Sequence, residues 1–138
     1  MSEHENVDVV RKGYEAFGRG DIKGLLAQLD PDVEWRTPGP ADLPTAGQRR
    51  GHDGVEEFFQ TLSGLLDVER FETKQFIAQG DMVMVIGDDT SRVKATGAAL
   101  EFRFVHAFTV RNGKVVTFDE YADVSALVAE LRGGQART

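Results

Sequence analysis

Residues 100–122 read LEFRFVHAFTVRNGKVVTFDEYA, two strand-forming arms around Arg111-Asn112-Gly113. In the first arm Leu100, Phe102, Phe104, His106, Phe108 and Val110 fall on alternate positions; in the second Val116, Phe118, Glu120 and Ala122 do. Strand side chains alternate between faces with period two, so each set forms a row on one side of a β-hairpin. Both rows are apolar except for one histidine and one glutamate. A titratable group in an oily row is desolvated unless it meets a partner or water, and that is how acid–base groups are tuned. The hairpin therefore places a sheet in the C-terminal half and marks His106 and Glu120 as candidate catalytic residues beside a pocket.

Whether the two share a face turns on the loop. A two-residue turn over Asn112-Gly113 pairs Val110 with Val115 and sends them to opposite faces. A three-residue turn over Arg111-Asn112-Gly113, with Gly113 as a bulge, pairs Val110 with Lys114. His106 then lies opposite Phe118 and diagonal to Glu120. A one-residue slip turns a whole row outward, so the second register, which aligns the two apolar rows, is the expected one.

The rest of the chain supplies helices to cover that sheet. Ser2 and Glu5 form a capping box for a first helix with Val7, Val10, Tyr14 and Phe17 on one face. Gly18-Arg19-Gly20 ends it, and Asp21 caps a second helix over Ile22–Leu29 that Asp30-Pro31 stops. Val33 to Thr37 alternates as a short strand. Pro38 to Arg50 holds three of the four prolines and no periodicity, a long loop expected near the pocket mouth. Asp53 is expected to cap a third helix with Val55, Phe58, Phe59, Leu62, Leu65 and Leu66 as a wide apolar stripe. Strands then follow over Glu69–Ala78 and Met82–Arg92, with turns at Gln79-Gly80-Asp81 and Lys94–Gly97. A last helix runs Val124–Leu131 behind an Asp123 cap. Segregated helices and strands mean an α+β fold, a curved antiparallel sheet wrapped around helices with a conical, mostly apolar cavity between them. One domain is expected over residues 1–132 and a disordered tail over 133–138.

Composition narrows the partners. The chain has 138 residues, 41% hydrophobic and 28% charged, the ordinary globular range. A net charge of −7 disfavours nucleic acid and anionic membranes, which need basic patches. No run of ~18 apolar residues suggests a membrane span, and MSEHENVDVV lacks a leader pattern. The absence of cysteine excludes disulfides and thiolate chemistry and fits a cytoplasmic location. His4, His52 and His106 form no metal-ligand motif, so no metal or organic cofactor is expected.

The element order and its residues resemble the nuclear transport factor 2-like superfamily, in particular its SnoaL-like branch. The matching residues are Tyr14-Glu15-Ala16-Phe17 with Gly20-Asp21, then Asp32-Val33-Glu34-Trp35, then Arg50-Gly51-His52-Asp53-Gly54-Val55. They continue with Ala95-Thr96-Gly97, His106, Asn112-Gly113-Lys114-Val115 and Glu120-Tyr121-Ala122-Asp123. The likeness runs over residues 5–131. It implies the cone-shaped, cystatin-like fold and a homodimer through the sheet, but fold does not settle function. Ketosteroid isomerases of this superfamily carry an aspartate base before a proline at the end of the first strand; Thr37-Pro38 stands there, which argues against that mechanism. Limonene-epoxide-hydrolase-like enzymes use two aspartates and an arginine, and Glu120 falls at one of those carboxylates. SnoaL-type polyketide cyclases place an acidic residue at Glu120 and a histidine at His106, and both are kept here, with Glu in place of Asp.

Two readings follow. In the first, a small apolar oxygenated molecule enters the cone, Glu120 shuttles a proton with His106 assisting, and Tyr14, Trp35, Phe59, Phe104 and Phe118 bind the substrate. The reaction would be cyclisation, isomerisation or water addition. In the second, the domain binds a ligand or a second copy without chemistry. Each candidate has a plain alternative as well: Glu120 solvated at the rim or paired with Arg103 or Arg36, His106 on a backbone carbonyl, Tyr14 and Trp35 as core. Of Asp88 and Asp89, alternation sends one outward, so at most one serves the site.

Overall fold

The computed structural model describes residues 2–136. Helix α1, Glu3–Gly18, begins at the expected capping box: the Glu5 N–H donates to Ser2 Oγ at 3.1 Å and the Ser2 N–H to Glu5 Oε1 at 3.2 Å. Gly20, at φ 71°, turns the chain, and Asp21 caps α2, Ile22–Leu26. This helix is shorter than expected. Leu29 already opens strand β1, Leu29–Thr37, because the backbone there joins the last strand: the Val115 N–H donates to the Gln28 carbonyl at 2.9 Å. Asp30-Pro31 thus sits inside an irregular first stretch of β1.

The proline-rich segment is not loop throughout. Gly47–Arg50 forms β2, an edge strand antiparallel to β1. Helix α3, Gly51–Leu65, follows at once, and its N-cap is Arg50 with no side-chain cap bond. The expected Asp53 cap is therefore displaced into the first turn, where its charge still favours the helix dipole. Leu66, placed on the helix stripe from sequence, instead starts β3, Leu66–Gln79. Strands β4, Met82–Val93, β5, Ala99–Arg111, and β6, Lys114–Ala122, continue the meander, and α4, Ser125–Ala136, closes the described chain. The Asp123 carboxylate accepts the Ser125 N–H at 2.9 Å. The tail expected to be disordered from 133 continues as helix to Ala136, while Arg137 and Thr138 lie outside the described residues.

The six strands run in the order β2-β1-β6-β5-β4-β3, with β1 parallel to β6 and every other pair antiparallel. The inner face holds the main core, in which Val10, Val33, Trp35, Val55, Val85 and Phe118 are buried. A second cluster of Leu43, Leu66, Val93, Phe102 and Leu127 fills the other end of the sheet, beneath α4 and the 38–46 segment.

The hairpin turn differs from expectation in an instructive way. Arg111 pairs with Lys114 and Val110 with Val115, so the turn is the tight two-residue one. Asn112 and Gly113, at φ 53° and 77°, take the left-handed conformations such a turn requires. One residue later the register shifts, and Thr109 pairs with Thr117. Val116 is the extra residue of this bulge, and Val115, not Val116, is buried on the inner face. The bulge undoes the parity change of the turn, and His106 ends directly opposite Glu120.

Candidate active site

Strand pairing places the site. Val85 of β4, His106 of β5 and Glu120 of β6 form one row across the inner face. Above it α1 presents Tyr14, one turn beyond buried Val10 on the same helix face. Tyr14 Oη lies 2.6 Å from His106 Nδ1, and His106 Nε2 lies 2.9 Å from Glu120 Oε2. His106 is 6% exposed; the Glu120 side chain is 28% exposed, so the chain of hydrogen bonds runs from the core toward the cavity.

The direction of these bonds follows from charge. Burial, reinforced by the negative charge of Glu120, pushes the Tyr14 phenol well above its ordinary value. The phenol therefore keeps its proton and donates it to Nδ1. With Nδ1 accepting, the ring hydrogen belongs on Nε2, which donates to Glu120 Oε2. Tyr14 thus gives its hydrogen to His106 and not to a ligand oxygen, the donation that one of the two readings from sequence had offered. Glu120 is not paired with Arg36 either: that guanidinium holds Glu34 and Asp119 at 2.5 and 3.2 Å.

Aromatic rings surround the relay. Tyr14 and His106 stack with centroids 5.9 Å apart, His106 and Phe104 at 4.1 Å, and Phe104 and Phe71 at 5.0 Å, all within 19° of parallel. Across the cavity Trp35 stacks on Phe118 at 3.9 Å and meets Phe58 and Phe59. The Trp35 Nε1 is buried with no acceptor among the described residues.

These walls enclose a cavity of about 160 Å³. Glu120, His106, Tyr14, Trp35, Phe59, Phe104 and Phe118 all line it, so the residues singled out from sequence converge on one space. Thr37 lines it too, with its hydroxyl donated to the Thr45 carbonyl, a bond that closes the β1–β2 connection. Among the described residues no three His, Asp, Glu or Cys side chains converge as a metal site. None of their helices is long and apolar enough to cross a membrane.

Sequence reasoning left Asp89 unassigned and passed over Ser91. Both lie on the inner row of β4 with Val83, Val85 and Gly87, and both line the cavity. The signal was present: the two buried valines fix the parity of the strand, and that parity turns Asp89 in and Asp88 out.

A curved, mostly antiparallel sheet folded over helices around a cavity places the molecule in the NTF2-like class of α+β proteins. Solved structures agree. An NTF2-like protein of Burkholderia xenovorans LB400 is 43% identical, covers 93% of this chain and 96% of its own, and superposes with a TM-score of 0.84. TerC, co-crystallised with polyporic acid, is 32% identical over 90% of this chain and 95% of its own, with a TM-score of 0.83. The uncharacterized protein Rv0034 of Mycobacterium tuberculosis is 31% identical over 127 residues, 91% of this chain and 95% of that protein. The sequence pattern of the SnoaL-like domain matches residues 10–118, and the chain belongs to the SnoaL-like family.

Proposed function

We propose that the cone takes a small, mostly apolar, oxygenated molecule and that Glu120, backed by His106 and Tyr14, moves a proton on it. The observation that carries this reading is the Tyr14–His106–Glu120 relay set in an aromatic wall. Glu120 Oε2 is held by the imidazole, which leaves Oε1 to meet a ligand. A carboxylate so oriented can take a proton from a carbon beside a carbonyl and return it elsewhere, the step common to isomerisation and to aldol-type cyclisation. The polyporic acid held by TerC suggests a ring bearing oxygens as the type of ligand.

The test uses 2-tetralone, a bicyclic ketone with exchangeable hydrogens beside its carbonyl. Incubated with the protein in D2O, it should exchange faster than in buffer, followed by proton NMR. Glu120→Gln should lower the protein-dependent rate by at least about 10²-fold. A variant within threefold of the parent would sink the catalytic role.

One observation favours a second reading, binding without chemistry: every polar atom of the Tyr14–His106 pair already has a protein partner, so the relay is satisfied without a ligand. Binding of 2-tetralone with no accelerated exchange supports it. For the assembly we propose a second copy of the chain against the outer sheet face, where Ile77, Met82, Ile86 and Tyr121 are 50, 44, 36 and 60% exposed.

A further inference from the structure

Asp88 and Asp89 are neighbours with opposite circumstances. Asp88 faces outward, where Arg70 Nη1 and Lys74 Nζ lie 2.6 and 2.9 Å from its carboxylate oxygens. Asp89 faces the cavity, and no lysine or arginine among the described residues pairs with it. Its one side-chain bond there comes from the buried Ser91 hydroxyl, which donates to Oδ1 at 2.9 Å. Oδ2 accepts nothing from the described residues. A half-buried carboxyl without a cation is unfavourable, and a purely structural position would be better filled by an apolar side chain.

Its location gives that carboxyl a use. Asp89 pairs with Phe102, and Val85, four residues back along β4, pairs with His106. The two levels are therefore roughly 13 Å apart along the strands, a gap that side chains leaning in from a curved sheet shorten. Between them lies Phe104, its ring stacked on His106 and on Phe71. Gly87 makes room for that ring, since a Cβ there would sit 2.5 Å from Phe104 Cζ. A flat ring laid along this wall has one edge toward Glu120 and the opposite edge toward Asp89.

We propose that Asp89 is a second ligand-contacting residue of the cone, hydrogen-bonded to an oxygen on the ring edge opposite the one that meets Glu120. The ligand class narrows to flat aromatic rings with oxygens on two opposite edges. Burial pushes the Asp89 carboxyl above its ordinary value and the charge of Glu120 adds to this; the Ser91 bond, His106 and Arg70 oppose it. Its unpartnered Oδ2 offers a hydrogen-bonding group to a ring hydroxyl there, while Glu120 beside His106 acts at the other edge. This inference rests on the reading of the cone as a ligand site.

The test compares 2,6-dihydroxynaphthalene with 2-naphthol by titration calorimetry. The parent protein should bind the diol at least about tenfold more tightly, the value of one additional buried hydrogen bond. Asp89→Leu should bind both compounds alike, whatever its absolute affinity for 2-naphthol. Asp89→Asn, which keeps a hydrogen-bonding group, should keep the preference. A parent without preference, or a leucine variant that retains it, overturns the role of Asp89 and leaves the ligand-site reading standing. If neither compound binds the parent, that reading falls and this inference with it.

Discussion

His106 has no free ring nitrogen, and this defines what changes at single residues will do. Tyr14→Phe removes the donor to Nδ1 and leaves a buried acceptor unpaired, so it should destabilise the fold by about 1–3 kcal/mol in chemical denaturation. The His106 15N shifts should still report the hydrogen on Nε2, because the Glu120 carboxylate continues to accept it. Asp89 predicts a pH effect. Its folded-state pKa is raised above the ordinary 3.8, so the folded protein holds that proton more tightly and stability falls as pH rises from about that value through the raised pKa. Asp89→Asn escapes this loss. It should melt higher than the parent at pH 7, with the gain gone once the pH is below 3.8. Equal melting temperatures at pH 7 would remove the electrostatic argument. At this scale the sequence was informative where polarity broke a pattern, as for His106 and Glu120. It offered Tyr14 as a substrate contact or a core residue but not as the partner of His106, because whether a helix tyrosine meets a ligand or a histidine depends on how α1 lies across the sheet.

The β5–β6 hairpin places both candidate catalytic residues through two departures from regularity that cancel. The tight turn shifts the faces by one residue and the bulge at Val116 shifts them back. Alternation revealed the aligned rows but not how they align, because Val115 and Val116 are both valine and give no polarity contrast to say which is buried. Deleting Val116 should remove the bulge, leave Phe118 and Glu120 facing inward opposite Phe108 and His106, and preserve a cooperative thermal transition, read by circular dichroism, whereas inserting a residue between Val116 and Thr117 should turn both outward and abolish it. Gly87 on β4 is constrained from two sides: a Cβ would lie 2.3 Å from the Glu72 carbonyl oxygen and 2.5 Å from Phe104 Cζ. Gly87→Ala should therefore cost about 1–3 kcal/mol. Trimming Phe104 to Leu in the same chain should recover part of it at most, since the backbone contact remains. Edge strand β2 escaped the sequence reading for a related reason: Gly-Gln-Arg-Arg carries no apolar alternation, and it is held by backbone pairing to β1 and by the bonds of Arg49 to Glu57 and the Thr45 and Pro44 carbonyls.

At the scale of the molecule, the α+β class and the cone were legible because segregated periodicities of 3.6 and 2 leave few ways to bury both kinds of face. The apolar row on the outer sheet face was not, since Ile86, half-buried Val105 and Tyr121, paired across β4, β5 and β6, show their continuity only once the register is known. If a second copy covers that row, sedimentation at micromolar concentration should give a dimer, and Tyr121→Glu should shift it toward monomer while the melting of the inner core persists. A parent that sediments as a monomer would discard the interface. The parallel pairing of β1 with β6 has a bearing on how the chain is made. The strand carrying Trp35 leaves the ribosome well before β6, its inner neighbour, because α3 and β3 to β5 lie between them in the chain. Until Ala122 is free of the exit tunnel, β1 has edge strand β2 beside it but lacks β6, whose Phe118 stacks on Trp35. A nascent chain arrested short of that residue should be open to proteolysis and chaperone capture, and one with β6 and α4 both clear of the tunnel should be much less so.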